Sequence, residues 1–105
     1  MKGKKIISVD IDGTLTIDNG KFWKGGIDNV KPNKKIINWV RNQYWAGNII
    51  IIYTARKELH RPETQAWLDK YVVWYHALVM NKLRADIYLD DRNMKLNEIG
   101  GKKNE

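Results

Sequence analysis

Two aspartates, Asp10 and Asp12, stand one residue apart at the end of an apolar run, and Gly13 follows them directly. A second pair, Asp90 and Asp91, follows another apolar run near the end of the chain. Carboxylates that lie close together repel one another unless a cation joins them. Mg²⁺ is favoured over Ca²⁺ for this role, because it typically binds one or two carboxylates together with water and substrate phosphate. These residue types therefore point to metal-assisted phosphate chemistry.

A calcium loop of the EF-hand type is excluded by two positions. Such a loop starting at Asp10 needs glycine at its sixth position and glutamate at its twelfth. The chain has Leu15 and Lys21 at those positions. Magnesium therefore remains the predicted metal.

The chain also contains the groups that phosphoryl transfer requires, namely a nucleophile, a proton donor, hydroxyl or amide donors and a cation. Asp10 could attack phosphorus, and Asp12 could protonate the leaving oxygen and later deprotonate the attacking water. Thr54 offers a hydroxyl group and Lys82 a positive charge. The backbone N–H groups of the turn at Gly13 could help to hold phosphate.

The elements that must position these residues alternate between strand and helix. Four apolar runs predict strands: Lys4–Val9, Ile49–Tyr53, Ala77–Met80 and Ile87–Leu89. The second run is uniform enough to be buried on both faces. Apolar residues at helical spacing predict helices over 32–46 and from Pro62 onward, with a last helical turn near Leu96. This order indicates a parallel α/β sheet with right-handed crossovers.

Ligands of parallel α/β sheets bind at the carboxyl ends of the strands. Five of the residues singled out fall just beyond predicted strand ends: Asp10, Asp12, Thr54, Asp90 and Asp91. We therefore expect their side chains to be neighbours at one edge of the sheet.

The same residues resemble the four motifs of the haloacid dehalogenase-like (HAD) superfamily of phosphatases, in the order of that family. The matching pieces are D-I-D-G-T-L at 10–15, the apolar run ending in Thr54, Lys82, and the run ending in Asp90-Asp91. They frame residues 6–91. D-x-D-G-T after an apolar strand is already a fairly specific signal.

The resemblance implies a role for each motif residue. Asp10 is the nucleophile of an aspartyl-phosphate mechanism and Asp12 the general acid/base. Thr54 and Lys82 bind the phosphoryl group. Mg²⁺ lies on Asp10, on the backbone carbonyl of Asp12, and on one or both of the last two aspartates. Of these, Asp91 is favoured as the ligand, and Asp90 as the partner of Lys82 or of metal-bound water.

A further stretch, TARKELHRPETQAWL at 54–68, resembles the corresponding segment of small capless phosphatases. More loosely, it is similar to the 3′-phosphatase half of polynucleotide kinases. It suggests Arg56 as a substrate contact.

The resemblance also implies a three-layer Rossmann-like fold. Its parallel sheet has four or five strands flanked by helices, with strand one between strands two and four. The segments 14–31 and 54–82 are too short for a cap domain, which predicts an open site that admits a large or polymeric phosphate. We expect residues 1–105 to form one domain, with 100–105 as a frayed tail.

Composition limits the partners. The net charge of +7 favours anionic partners. Two interpretations of this charge remain possible, a solvated lysine-rich surface and a nucleic-acid-binding face.

There is no cysteine, which excludes disulfides and thiolate metal sites. Five tryptophans in a short chain leave room for a homo-oligomer interface or a substrate rim. No apolar stretch approaches the roughly 18 residues that span a membrane, so a cytoplasmic protein without membrane contact is predicted.

The predicted function is a Mg²⁺-dependent phosphomonoesterase that acts on a phosphorylated small molecule or polymer end. One alternative is a nucleic-acid 3′-end-processing phosphatase, which the charge and the open site favour. The other is a non-catalytic binding module on the same fold. The intact pair of Asp10 and Asp12 argues against it, because a binding module has no need of both carboxylates.

Overall fold

The computed structural model of the protein describes residues 4–17 and 30–99. Their elements are, in chain order, β1 (Ile6–Val9), α1 (Lys34–Trp45), β2 (Ile49–Tyr53), α2 (Arg61–Lys70) and β3 (Ala77–Val79), with 3₁₀ turns at Glu58–His60 and Leu96–Glu98. The predicted alternation of strand and helix is confirmed. The expected loop at 18–31 and the expected tail lie almost wholly outside the described residues.

The three strands form one parallel sheet in the order β1-β2-β3. Val9 is paired with Ile52, and Ile52 in turn with Leu78. Two consecutive right-handed crossovers between neighbouring strands place both helices on the same face of the sheet. In agreement, the Arg41 guanidinium on α1 donates to the Val72 carbonyl just beyond α2 at 3.0 Å.

The core lies between this face of the sheet and the two helices. Its buried members from the sheet and the helices are Val9, Ile50, Ile52, Leu78, Ile36, Ile37, Val40, Trp67 and Leu68. Each such side chain contributes about 1.5–3 kcal/mol when it is removed from water. The core therefore fixes β1 and β2, the strands whose ends carry Asp10 and Thr54.

Helix α1 begins two residues later than predicted, because Pro32 pairs with the loop after β1 and Asn33 caps the helix. Pro32 forms an isolated antiparallel bridge with Thr16, and the Asn33 side chain caps the helix by accepting from the Ile36 N–H. The helix ends at Trp45, and the chain turns at Gly47, whose φ of +94° favours glycine.

The opposite face of the sheet is open in the described part of the chain. Ile6 is 73% exposed and Val79 is 42% exposed, while Ile49 and Ile51 are half-buried. The prediction that β2 is buried on both faces is therefore wrong. The physical reason is the strand order, because both crossover helices cover the same side.

The fourth strand predicted at Ile87–Leu89 is not formed, and the sheet of the described residues has three strands. Ile87 is 80% exposed and Leu89 is 96% exposed. The Tyr88 hydroxyl donates to the Leu83 carbonyl at 2.7 Å and accepts from the Ala85 N–H at 3.0 Å. These local bonds fold the segment on itself, so within residues 4–17 and 30–99 β1 is an edge strand and not a central one.

None of the helices in residues 4–17 and 30–99 is long and apolar enough to cross a membrane.

Candidate active site

The loop after β1 is held by its own backbone. The Asp10 carboxylate accepts from the Ile11 N–H at 2.8 Å, and the Thr16 N–H donates to the Ile11 carbonyl at 3.0 Å. Gly13 has a φ of +82°, a conformation that favours glycine. Its N–H donates to the Thr16 hydroxyl at 3.0 Å, so a phosphate would compete with Thr16 for the predicted Gly13 donor. Ile11 and Leu15 are fully buried and anchor the loop.

Thr54 and Lys82 are brought together at the ends of β2 and β3. The buried Thr54 donates its N–H to the Val79 carbonyl at 3.0 Å, and its carbonyl accepts from the Lys82 N–H at 2.8 Å. The Lys82 ammonium lies 5.3 Å from the Tyr53 ring centroid and 4.5 Å from that of Tyr88. Both distances suit cation–π contact, which orients the lysine at this edge of the sheet.

Arg56 holds Asp12 by two parallel bonds. Its Nη2 lies 2.7 Å from Asp12 Oδ1 and its Nε lies 3.1 Å from Asp12 Oδ2. A third bond runs from Arg56 Nη1 to the Thr64 hydroxyl on α2 at 3.0 Å. Such a fork is among the strongest and most directional pairings of side chains. It fixes the orientation of the Asp12 carboxylate.

This geometry changes the position expected for Arg56. The sequence suggested a substrate contact, but the Arg56 side chain is 0% exposed whereas that of Asp12 is 21% exposed. Arg56 therefore lies behind Asp12 and not at the rim of the site. In this place Arg56 orients the Asp12 carboxylate, and a contact with substrate stays a prediction.

Burial raises the pKa of Asp10 above its ordinary value, and the Asp12 carboxylate adds to that effect. The Ile11 N–H and the cations of Lys82 and Arg56 act in the opposite direction. Asp10 thus lies within electrostatic reach of all three charged partners. A half-buried carboxylate whose pKa is shifted by burial and by neighbouring charges is a candidate functional residue.

Two members of this arrangement were not predicted from the amino-acid sequence. Thr64, which accepts a hydrogen bond from Arg56, is a buried polar residue on the apolar face of α2. A polar residue on such a face indicates a buried hydrogen-bond partner, and this was the signal in the sequence. Thr16, which closes the Asp10 loop, carried no signal, because its role depends on the bridge to Pro32.

Asp90 and Asp91 do not form a metal-binding cluster with Asp10 and Asp12 in the described residues. Both are exposed. Asp90 accepts from the Arg92 N–H at 2.7 Å, and Asp91 lies 3.8 Å from the Arg92 guanidinium. The prediction that the four carboxylates form one cluster is therefore wrong. The cause is the absence of strand pairing at Ile87–Leu89.

The side chains present do not form a complete magnesium site. Within residues 4–17 and 30–99, no three Asp, Glu, His or Cys side chains lie close enough together to hold a metal. Both carboxylate oxygens of Asp12 face Arg56, which leaves Asp10 as the one carboxylate of the pair that is not engaged with an arginine.

The parallel α/β fold and the site together define a class of protein. An acid pair after the first strand, a threonine after the second and a lysine beside it are the features of a HAD-type phosphatase. The family model described as the polynucleotide kinase PNKP phosphatase domain matches residues 4–98. The chain belongs to this family, which confirms the resemblance to the HAD superfamily.

Solved structures agree with that assignment. A structural-genomics target from Vibrio cholerae is 31% identical with a TM-score of 0.77, covering 91% of this chain and 86% of that one. A chain of the Pnkp1/Rnl/Hen1 complex is 26% identical with a TM-score of 0.67, and covers 82% of this chain. A chain of the Pnkp1/Rnl/Hen1 RNA repair complex is also 26% identical, with a TM-score of 0.65 and 73% of this chain covered.

The present chain spans only 32% and 25% of the lengths of those two Pnkp1/Rnl/Hen1 chains. No curated protein matches it significantly.

Proposed function

We propose that this protein is a phosphomonoesterase in which Asp10 is the nucleophile and Asp12 the general acid/base. Family membership supports a phosphatase in general. The observation that carries the specific assignment is the bidentate hold of Arg56 on Asp12, beside a half-buried Asp10 within electrostatic reach of Lys82.

The proposed reaction has two displacements. An Asp10 carboxylate oxygen attacks phosphorus and the bond from phosphorus to the leaving oxygen breaks, while Asp12 gives that oxygen a proton. Asp12 then takes a proton from water, whose oxygen attacks phosphorus and breaks the bond to Asp10. The products are an alcohol and inorganic phosphate, and both aspartates return to their starting forms.

Lys82 and Thr54 are proposed to hold the phosphoryl group. The ammonium of Lys82 balances the negative charge that gathers on the phosphoryl oxygens. The Thr54 hydroxyl accepts from the Arg56 N–H at 3.1 Å, and its own hydrogen can be donated to a phosphoryl oxygen.

A magnesium requirement is part of the proposal, because phosphatases of this superfamily are generally Mg²⁺-dependent. The proposed ligands are Asp10, the Asp12 carbonyl, and Asp90 or Asp91. Asp90 and Asp91 are exposed, and both displacements of the proposed reaction use only the protein's own groups and water.

The proposed substrate is a phosphorylated nucleic-acid end, with a 3′-phosphate as the specific case. Support comes from the family of the matching domain and from the net charge of +7. A phosphorylated small molecule is the second candidate. We propose that residues 1–105 act as one domain. The formation of a homo-oligomer stays a prediction.

The test is hydrolysis of an aryl phosphate and of a 3′-phosphorylated oligonucleotide, each with Mg²⁺ and with EDTA. Wild type should turn over only with Mg²⁺, and Asp10→Asn should be inactive. Asp86→Asn is the matched control, because it makes the same change at an exposed aspartate outside the proposed machinery. An Asp10→Asn variant that keeps the wild-type rate would refute the assignment.

A further inference from the structure

A surface groove of about 500 Å³ lies between the first half of α1 and the end of α2. We call it the α1–α2 groove and define it by Lys34, Lys35, Asn38, Arg41 and Tyr71, which line it. None of these residues belongs to the proposed catalytic machinery. The groove therefore needs its own explanation.

The charge of the groove is positive. The sequence has no aspartate or glutamate from Asn29 to Lys57. Lys34 and Lys35 are exposed and form no ion pair in the described part of the chain. Arg41 is fixed in place, because its guanidinium donates to the Val72 and Tyr71 carbonyls at 3.0 and 3.5 Å. An anion in the groove would meet preorganised positive charge with no nearby carboxylate from α1.

The groove starts next to the catalytic loop. Pro32, which also lines it, is bridged to Thr16, and the Asn33 N–H donates to the Leu15 carbonyl at 2.7 Å. Helix α1 therefore leaves the same edge of the sheet that carries Asp10 and Asp12. The groove runs from that edge along the helical face.

The dimensions suit a polymer and not an isolated phosphate. Lys34 and Arg41 are seven residues apart on one helix, a rise of about 10 Å, which is longer than a single phosphate group. The half-buried ring of Tyr71 lies at the wall of the groove, where it packs against the Trp67 ring with centroids 4.9 Å apart, and the Lys70 ammonium lies 5.3 Å from its centroid. Aromatic rings beside cations are typical stacking sites for nucleic-acid bases.

We propose that the α1–α2 groove binds the sugar-phosphate backbone of a nucleic-acid strand whose phosphorylated end enters the catalytic edge at Asp10. This inference rests on the proposed function, because it assigns the groove to the strand that carries the substrate phosphate. Lys34 and Lys35 contact backbone phosphates, and Tyr71 stacks on a base.

The test is a charge reversal, Lys34→Glu with Lys35→Glu, measured by fluorescence anisotropy. The probe is a 12-nucleotide single strand labelled at its 5′ end and ending in a 3′-hydroxyl, which binds without being a substrate. The matched control is Lys4→Glu with Lys5→Glu, which reverses another adjacent, exposed lysine pair at the opposite end of β1. The milder pair Lys34→Gln with Lys35→Gln covers the case in which the reversal perturbs folding.

The groove variants should weaken binding of the strand by about tenfold or more. Because each lost phosphate contact lowers the salt slope by about 0.7 for single strands, the slope of log K against log salt should fall by about 1.4. The control should lose less than about threefold. Aryl phosphate hydrolysis should be unchanged in all variants, because none of these lysines belongs to the catalytic edge.

Three outcomes would overturn the groove assignment. The first is an equal loss of affinity for the strand in the groove and control variants, and the second is no loss of affinity in the groove variants. The third is that a glutamate-rich peptide binds as tightly as the strand and that its binding is lost when the same lysines are changed. Failure of the proposed function is distinguishable from these. It would appear as groove-dependent binding of the strand by a wild type that hydrolyses neither the aryl phosphate nor a 3′-phosphorylated strand.

Discussion

The two aspartate pairs of this chain have the same chemistry and very different surroundings. Asp10 and Asp12 follow β1, whose last residue, Val9, is buried and paired with Ile52. Asp90 and Asp91 follow an apolar run that pairs with no strand of the described residues. The comparison teaches that acidic residues after an apolar run become a site only when the run itself is held by the sheet.

The difference is set by the partners that each pair acquires. The first pair has a backbone N–H on Asp10 and a buried arginine on Asp12. The second pair has the exposed Arg92 beside it, with the Asp91 and Arg92 side chains both 90% exposed. An exposed ion pair contributes little, about 0–1 kcal/mol, so nothing in the second pair fixes its carboxylates.

The largest expected effect is on enzymatic activity, and it differs between the two aspartate pairs. Asp10→Asn should lower kcat by about 10³-fold or more, because the nucleophile is lost, and added Mg²⁺ should not restore it. Asp91→Asn should instead raise the Mg²⁺ concentration for half-maximal activity by about tenfold, with much of kcat regained at high Mg²⁺. Steady-state kinetics across a Mg²⁺ titration measure both.

If Asp91→Asn were as inactive as Asp10→Asn at every Mg²⁺ concentration, the two pairs would be functionally equal. That result would mean that Asp91 is needed for the chemical step itself and not only for binding Mg²⁺.

The second prediction concerns the fork that holds the first pair. Arg56→Lys keeps the charge but loses the bidentate geometry, so kcat should fall about 10²-fold with KM nearly unchanged. Thr64→Val removes only the bond to Arg56 Nη1 and should cost about 1–2 kcal/mol in the free energy of unfolding, with a few-fold loss in kcat. Kinetics and urea unfolding check the two effects.

A rise in KM without loss of kcat for Arg56→Lys would contradict the positioning role. It would return Arg56 to the substrate contact that the sequence suggested.

The third prediction compares the two apolar runs by stability. Val9→Thr places a hydroxyl in the core under the helices, so the free energy of unfolding should fall by about 1–3 kcal/mol. Leu89→Thr changes a side chain that is 96% exposed and should alter stability by less than about 0.5 kcal/mol. Urea unfolding measures both. Equal losses would mean that Leu89 is buried in solution, as in the predicted fourth strand.

The smallest expected effect is a pH dependence that belongs to Asp10. Its pKa is raised in the folded state, so the folded protein binds more protons than the unfolded chain between pH 3.8 and that raised pKa. Stability therefore falls as pH rises through this window. Asp10→Asn removes the carboxylate that titrates and with it this fall in stability. The melting temperature of the variant should therefore be higher than that of wild type at pH 7, but not below pH 3.8.

Thermal unfolding in EDTA measures this effect without a metal contribution, and Asp86→Asn is the control that should follow wild type at every pH. A lower melting temperature for Asp10→Asn at pH 7 would show that the Asp10 carboxylate is stabilised by folding.

The amino-acid sequence by itself determined the parts of this protein that depend on local interactions. The strand before Asp10, the glycine turn after Asp12 and the two helices follow from patterns within a few residues, such as the positive φ of Gly13 and the cap on α1. The position of Thr54 at the end of β2 followed as well, because a parallel sheet brings the ends of its strands to one edge.

Only the tertiary structure decided which groups meet across the chain. Arg56 and Asp12 are 44 positions apart, and no local pattern distinguishes an arginine at the rim of a site from one buried behind it. The run at Ile87–Leu89 has the same short apolar signal as β3, yet only β3 pairs with β2. A strand is completed by hydrogen bonds to a distant neighbour, and a run of three residues does not encode whether that neighbour is reached.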